Sequence, residues 1–230
     1  MLAASVAVVV PELSTAAQAF GWTAGAVGIS IGWPQVWRLW VGRKHAGLSL
    51  TSNVLAVIYS TAWLLYGVAS QRTVQIVTCL IGMSVATSVL VGHLRLSKPR
   101  LRAWVPLWLI GTAVVIALFT AGRGPLGLAA SAATISGVLP QLVSLIRDRR
   151  KGLYDVGGIA VSRWVLATVC NVLWVGYGLL VGDPLIVANS GIVFLLAVGI
   201  VVTATRSARD ERAWIDARDL EPLAPSPALH

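Results

Sequence analysis

Residues 174–190 read WVGYGLLVGDPLIVANS, two apolar runs joined by a short turn. The first run begins with the pattern W-x-x-Y-G, and the same pattern occurs 111 positions earlier as WLLYG at 63–67. Upstream of each copy lies a Pro-Gln pair, Pro34-Gln35 and Pro140-Gln141, separated by 106 positions. Self-similarity at a nearly fixed interval is the signature of a repeated structural unit. The chain is therefore predicted to contain two copies of one module.

The composition places this module in a membrane. Of the 230 residues, 57% are hydrophobic and 12% are charged, whereas soluble domains are about 45–50% apolar and about 25% charged. Apolar stretches of about 20 residues can cross a bilayer as helices, and these stretches lack the alternation of a transmembrane barrel. The predicted spans are 17–37, 50–69, 74–94, 103–121, 126–146, 159–181 and 185–204. We predict an all-α membrane protein with seven transmembrane helices.

The repeated motifs divide the seven spans into two copies and a connector. Residues 17–94 and 126–204 each form a three-helix repeat, and the linker helix at 103–121 joins them. One intervening crossing gives both copies the same orientation, so the repeats are predicted to be parallel. The remaining tail, 205–230, mixes both signs of charge and ends in a proline-rich stretch. This composition predicts a short amphipathic start followed by disorder.

Basic residues gather on one predicted side of the membrane. Of the 18 lysines and arginines, 15 flank spans on the side of the C-terminus, Arg72 and Arg123 lie on the other side, and Arg163 lies inside a span. Cytoplasmic loops carry such an excess, so we predict an integral protein of the plasma membrane with its N-terminus outside and its C-terminus in the cytoplasm. The loops account for the formal charge of +9, and nucleic acid is not a predicted partner.

In these motifs and their order the chain resembles the PQ-loop membrane proteins, and within them the SWEET sugar transporters and their half-sized bacterial relatives. The resemblance covers about residues 21–204 and is most specific at 174–190. It implies a facilitator that carries a small neutral mono- or disaccharide in both directions by alternating access. The implied partners are that sugar and the lipid bilayer, with assembly into a homo-oligomer left open. No cofactor is implied.

The predicted substrate site contains aromatic and neutral polar side chains from both copies. An indole face is a flat apolar platform for a sugar ring, and its N–H is a hydrogen-bond donor, so Trp63 and Trp174 are candidates; their alternative role is at the membrane interface. The resemblance implies that Asn189 is a substrate ligand, and the alternative is a hydrogen bond between helices. The shift of 111 positions places Thr78 opposite Asn189 and Cys79 beside it. The first copy therefore lacks the second asparagine.

Each Pro-Gln pair lies inside a predicted span and is a candidate hinge. Proline supplies no N–H, so Pro34 and Pro140 free the carbonyl groups of Ser30 and Ser136, four residues earlier. A kink of this kind is a natural pivot, and its alternative is a packing kink without motion. We also predict that the two serines contact the substrate. The hinge candidates are Pro34, Gln35, Pro140 and Gln141.

The pattern of charge also limits the chemistry. No Asp or Glu lies inside a predicted span, which argues against proton or cation coupling, and no metal site or catalytic pair emerges, so an enzyme is not predicted. Two alternatives stay open. One is an amino-acid carrier of the same fold, for which Arg163 is the only charge partner inside a span. The other is a receptor or scaffold that uses the fold without transport.

Overall fold

The computed structural model describes residues 14–43, 48–152 and 161–219, with side chains as far as residue 212. In this part of the chain it contains seven α-helices, and a short 3-10 turn at Leu101–Ala103 precedes the fourth. The helices are α1 Thr15–Trp40, α2 Leu50–Ala69, α3 Thr73–Ser97, α4 Val105–Ala121, α5 Arg123–Arg150, α6 Val161–Leu180 and α7 Pro184–Asp219.

These helices confirm the predicted fold class. Five of them, α2, α3, α5, α6 and α7, are long and apolar enough to cross a membrane by length and composition. Helix α1 is long enough, with 26 residues, but is less apolar than these five. Helix α4 has 17 residues and extends about 26 Å, which is close to the thickness of a bilayer core. Residues 159–160 of the predicted sixth span and 220–230 of the predicted tail lie outside the described residues.

Helix α7 extends well beyond the predicted end of its span at residue 204. It continues to Asp219, so that residues 205–219 of the predicted tail are helical. A contact that the local composition does not reveal supports this extension, because Arg149 of α5 donates a hydrogen bond of 2.7 Å to the Asp210 carboxylate.

The two repeats have the same internal packing. Helix α3 packs against both α1 and α2, and α7 packs in the same way against α5 and α6. The repeats meet crosswise, since α1 contacts α6 and α2 contacts α5. Because α1 is equivalent to α5 and α2 to α6, these two contacts are equivalent to each other. This is expected for parallel repeats related by an axis along the membrane normal. Helix α4 packs on the outside, against α2 and α5.

A pair of equivalent tyrosines fills the core between the repeats. Tyr66 and Tyr177, from the two W-x-x-Y-G motifs, are both fully buried, with 0% exposure. A Cβ atom added to Gly127 of α5 would lie 2.6 Å from the Tyr66 ring, and one added to Gly21 of α1 would lie 2.9 Å from the Tyr177 ring. Gly21 and Gly127 are themselves 106 positions apart. Each repeat therefore uses a glycine of its first helix to admit the tyrosine of the other repeat.

Candidate functional site

A cavity of about 330 Å³ lies between the two repeats, within the range of about 300–1,000 Å³ that is usual for small-molecule sites. Six of the seven helices contribute to its wall, and α4 does not. The lining residues of α1 and α5 are Ala24, Gly25, Gly28, Ile29 and Thr134.

The rest of the lining follows the internal repeat. Each lining residue of α2 and α3 corresponds, 111 positions later, to a lining residue of α6 or α7. On α2 and α3 these residues are Tyr59, Ser60, Trp63, Gln75, Thr78, Cys79 and Gly82. Their counterparts on α6 and α7 are Cys170, Asn171, Trp174, Ile186, Asn189, Ser190 and Val193. The geometry of the wall is thus nearly two-fold symmetric, whereas its chemistry is not.

Trp63 and Trp174 lie in equivalent places in this wall. The W-x-x-Y spacing puts a tyrosine about one helical turn after each tryptophan. Trp63 meets Tyr66 edge-on with 5.5 Å between ring centroids, and Trp174 meets Tyr177 edge-on at 5.3 Å. Both indoles are therefore positioned by the buried tyrosines and line the cavity, which disfavours a role at the membrane interface.

The indole N–H of Trp63 is already bonded inside the protein. It donates to the Thr134 hydroxyl at 3.0 Å, and that hydroxyl donates to the Ala130 carbonyl at 2.8 Å. The residue equivalent to Thr134 in the first repeat is Gly28, 106 positions earlier, which offers no hydroxyl to Trp174. The Trp63 N–H is therefore not the free donor that was predicted for both indoles.

The next pair, Asn189 and Thr78, differs in its hydrogen bonding. The amide oxygen of Asn189 is buried and has no hydrogen-bond partner among the described residues, so the alternative of an interhelical bond finds no support there. The Thr78 hydroxyl instead donates to the Val74 carbonyl of its own helix at 2.8 Å. Cys79 lines the cavity beside it as a half-buried free thiol.

The structure does not bring Ser30 and Ser136 to the cavity. Both side chains are exposed, and the Ser30 hydroxyl donates to the Val27 carbonyl of its own helix at 2.7 Å. Such back-bonding to the preceding turn is usual for serine inside a helix. The predicted substrate contacts of these two serines therefore lie apart from the other candidates.

The Pro-Gln pairs also lie outside the cavity wall. Pro34 and Pro140 are exposed and stand inside continuous helices, α1 and α5. Gln35 is half-buried and Gln141 is exposed. Each pair lies on the first helix of its repeat. The cavity lies between these pairs and the turns at 70–72 and 181–183.

One end of the bundle contains the turns 70–72 and 181–183, and we term it the turn end. A charged cluster that was not predicted from the sequence lies there. Asp183 is 2% exposed, and the Tyr66 hydroxyl donates its one proton to the carboxylate, whose two oxygens lie 2.8 and 2.9 Å from the hydroxyl oxygen. The carboxylate also forms an ion pair with Arg72, whose guanidinium donates to the Val181 carbonyl at 3.2 Å. This cluster ties the first repeat to the second.

A sequence signal for this cluster exists in the repeat itself. Arg72 and Asp183 are 111 positions apart, so they occupy equivalent turns and carry opposite charges. Asp183 in addition caps α7, because its carboxylate accepts from the backbone N–H of Leu185 at 3.0 Å and of Ile186 at 3.3 Å. The pair can therefore be recognised in the sequence as opposite charges at equivalent turn positions.

Hydrogen bonds join the two repeats at two places among the described residues. Among the bonds whose two partners are both described, those joining the repeats lie either in the turn-end cluster or beside the cavity, where Trp63 binds Thr134 and the Cys170 thiol donates to the Ala24 carbonyl. The turn end is therefore closed by the bonds of the charged cluster in this structure.

Comparison with known proteins agrees with this architecture. The sugar transporter SemiSWEET of Bradyrhizobium diazoefficiens is 30% identical to this chain over 81 residues, which are 35% of the chain and 88% of that protein. The chain belongs to the SWEET family. The matched length is close to that of one three-helix repeat, in line with a chain that holds two copies.

A solved structure supports the same fold for the whole chain. The structure of a eukaryotic SWEET transporter superposes with a TM-score of 0.66 at 16% sequence identity, covering 84% of this chain and 99% of that one. No protein-family model matches the chain. The seven-helix SWEET fold is thus shown.

Proposed function

We propose that this SWEET-family protein is a facilitator that carries a small neutral sugar, a mono- or disaccharide, across the membrane by alternating access. The observation that supports this best is the chemistry of the cavity. Two indoles stand in equivalent places, and hydroxyl, amide and thiol groups fill the wall between them. Aromatic platforms suit the C–H faces of a sugar ring, and neutral polar groups suit its hydroxyls.

The same wall favours a neutral solute over an amino acid. No described residue that lines the cavity is charged, and a carboxylate or ammonium group taken out of water needs a partner of opposite charge. Arg163, the one arginine or lysine inside a predicted span, does not line the cavity. It is exposed, with its guanidinium 5.8 Å from the ring centroid of Trp164.

Alternating access requires that the two ends of the bundle open in turn. For the turn end to open, the bonds of Asp183 to Arg72 and to Tyr66 must break. Pro34 and Pro140, each in the first helix of a repeat, are the proposed pivots. With no acidic side chain in the described lining, no ion is coupled to these movements, and transport is bidirectional. The excess of basic residues at the opposite end of the bundle supports a topology with the turn end outside the cell and the C-terminus in the cytoplasm.

Purified protein in liposomes tests the proposal directly. We expect saturable counterflow of labelled glucose or sucrose without any pH or sodium gradient, since the described residues of the cavity wall include no acidic side chain. Protein-free liposomes are the control. Exchange of labelled amino acids in place of sugars would overturn the substrate class, and no saturable exchange of either solute by folded protein would favour the receptor alternative.

Two natural cysteines allow the cavity to be tested without new reporter residues. Cys79 and Cys170 are both free and line the cavity, so a membrane-permeant maleimide should reach them only through it. We expect labelling to slow about tenfold at a sugar concentration about ten times its Kd, because only unoccupied protein reacts. Mass spectrometry of intact protein, with the Cys79→Ser and Cys170→Ser variants as controls, measures this. Labelling that is indifferent to sugar would place the substrate elsewhere.

A further inference from the structure

Three side-chain amides line the cavity, and that of Asn171 donates to the Ala167 carbonyl of its own helix at 2.7 Å. The other two are those of Asn189 and Gln75, and Gln75 differs from Asn189 in its position. Its side chain lines the cavity and the residue is only 2% exposed. Its amide oxygen is buried and has no hydrogen-bond partner among the described residues. A buried acceptor that is left unpaired costs free energy, and such groups commonly bind a ligand or water. The cavity is the space from which that partner can come.

The repeat symmetry shows that the two amides are out of register. The counterpart of Gln75 in the second repeat is Ile186, and the counterpart of Asn189 in the first repeat is Thr78. All four line the cavity, so at each level an amide faces a residue without one. Three residues separate the levels, which is about 4.5 Å along a helix axis. Gln75 is nearer the turn end, because α3 and α7 both begin there.

The Gln75 side chain is held by a close contact and differs from Thr78 in its hydrogen bonding. Its side chain lies against Gly67, the last residue of the first W-x-x-Y-G motif, where an added Cβ would come within 3.2 Å of the Gln75 Cγ atom. The Thr78 hydroxyl is committed to backbone carbonyls of α3, at 2.8 Å to Val74 and 3.2 Å to Gln75. The Thr78 proton is thereby used, so toward a ligand Thr78 offers only its hydroxyl oxygen as an acceptor. Gln75 offers an amide oxygen that is buried without a partner among the described residues.

We propose that Gln75 is a specificity-determining residue that accepts a hydrogen bond from a sugar hydroxyl, while Asn189 binds a second hydroxyl one helical turn deeper. This inference rests on the proposed function and adds a feature of the substrate. Two amides at different depths between two indoles fit a pyranose ring that carries hydroxyls on opposite edges. A ring that lacks one of them loses a contact to one amide only.

A cycle of variants and deoxy sugars tests this pairing. Gln75→Leu keeps the size of the side chain and removes the amide, and we expect KM for glucose counterflow to rise about three- to tenfold, the usual effect of one neutral hydrogen bond. One monodeoxyglucose should be transported with a similarly raised KM by the unmodified protein. In the Gln75→Leu variant, KM for that deoxy sugar should equal KM for glucose. For the other deoxy sugars, KM in the variant should still exceed KM for glucose.

The control is the same substitution outside the cavity, Gln18→Leu, at an exposed position of α1. If Gln75→Leu does not yield a monodisperse protein, Gln75→Asn, which shortens the amide by one methylene, replaces it in the same cycle. If every deoxy sugar shows an equal penalty in the variant and in the unmodified protein, Gln75 does not contact the substrate and the inference is overturned. Absence of exchange by the unmodified protein would instead overturn the proposed function.

Discussion

Replacing Asp183 with alanine is expected to lower the free energy of unfolding by about 3–5 kcal/mol, because it leaves a buried cation without its partner. The Arg72 side chain is 13% exposed and the Asp183 side chain 1%, so solvent screens this pair only weakly. The same substitution deprives the Tyr66 hydroxyl of its acceptor and α7 of its N-terminal cap. It should also reduce sugar exchange, because the turn end loses the bonds that hold it closed.

The chain provides a matched control for this experiment. Asp210 pairs with Arg149, but their side chains are 40% and 34% exposed, and an ion pair of this kind contributes about 0–1 kcal/mol. Thermal unfolding in detergent should therefore show a large decrease in Tm for Asp183→Ala and a small one for Asp210→Ala. Equal decreases would mean that the turn-end cluster does not hold the repeats together. The double variant Arg72→Leu with Asp183→Asn should recover part of the loss, since it removes both charges.

The fold was predictable from sequence because its causes are local. Uncharged apolar runs fix the spans, and the repeated W-x-x-Y-G and Pro-Gln motifs fix which spans are equivalent. The end of α7 was not predictable in this way, because residues 205–219 are polar and the Arg149–Asp210 contact depends on the packing of α5 against α7. Tertiary contacts of this kind override composition.

The repeat also explains which site residues sequence could find. Trp63, Trp174, Thr78, Cys79 and Asn189 were paired by the shift of 111 positions, and the axis between the repeats brings such pairs to one cavity. The charged cluster was missed for a related reason. A lone charge in a turn resembles any loop residue, and its meaning appears only when the equivalent turn of the other repeat is placed against it.

The two serines were assigned to the site because of their spacing from proline, which says nothing about the direction of a side chain. The cavity face of α1 is formed by residues 24, 25, 28 and 29. At about 100° per residue, Ser30 points to nearly the opposite side of the helix. On α5, Ser136 is likewise about 200° beyond Thr134, the lining residue. The direction in which each serine points could be derived only from a residue of the same helix already known to face the cavity.

Removing both indoles, Trp63→Ala with Trp174→Ala, is expected to have the largest effect on transport, a decrease in kcat/KM of about 100-fold or more. Burying an aromatic face against a ligand contributes roughly 1.5–3 kcal/mol, so each single variant should lose about tenfold or more. Trp174→Phe keeps a flat apolar platform and should lose less than Trp174→Ala. Trp63→Phe should lose more than Trp174→Phe, because it also breaks the bond to Thr134.

Counterflow at equal amounts of reconstituted protein measures these effects. The control is Trp108→Ala, since Trp108 is 38% exposed on α4, the helix that does not contribute to the cavity wall. If the double variant transports as well as this control, the sugar does not bind in the cavity. A loss confined to the double variant, with each single variant near normal, would instead mean that one indole suffices as a platform, and that the two-fold wall offers the ring two alternative positions.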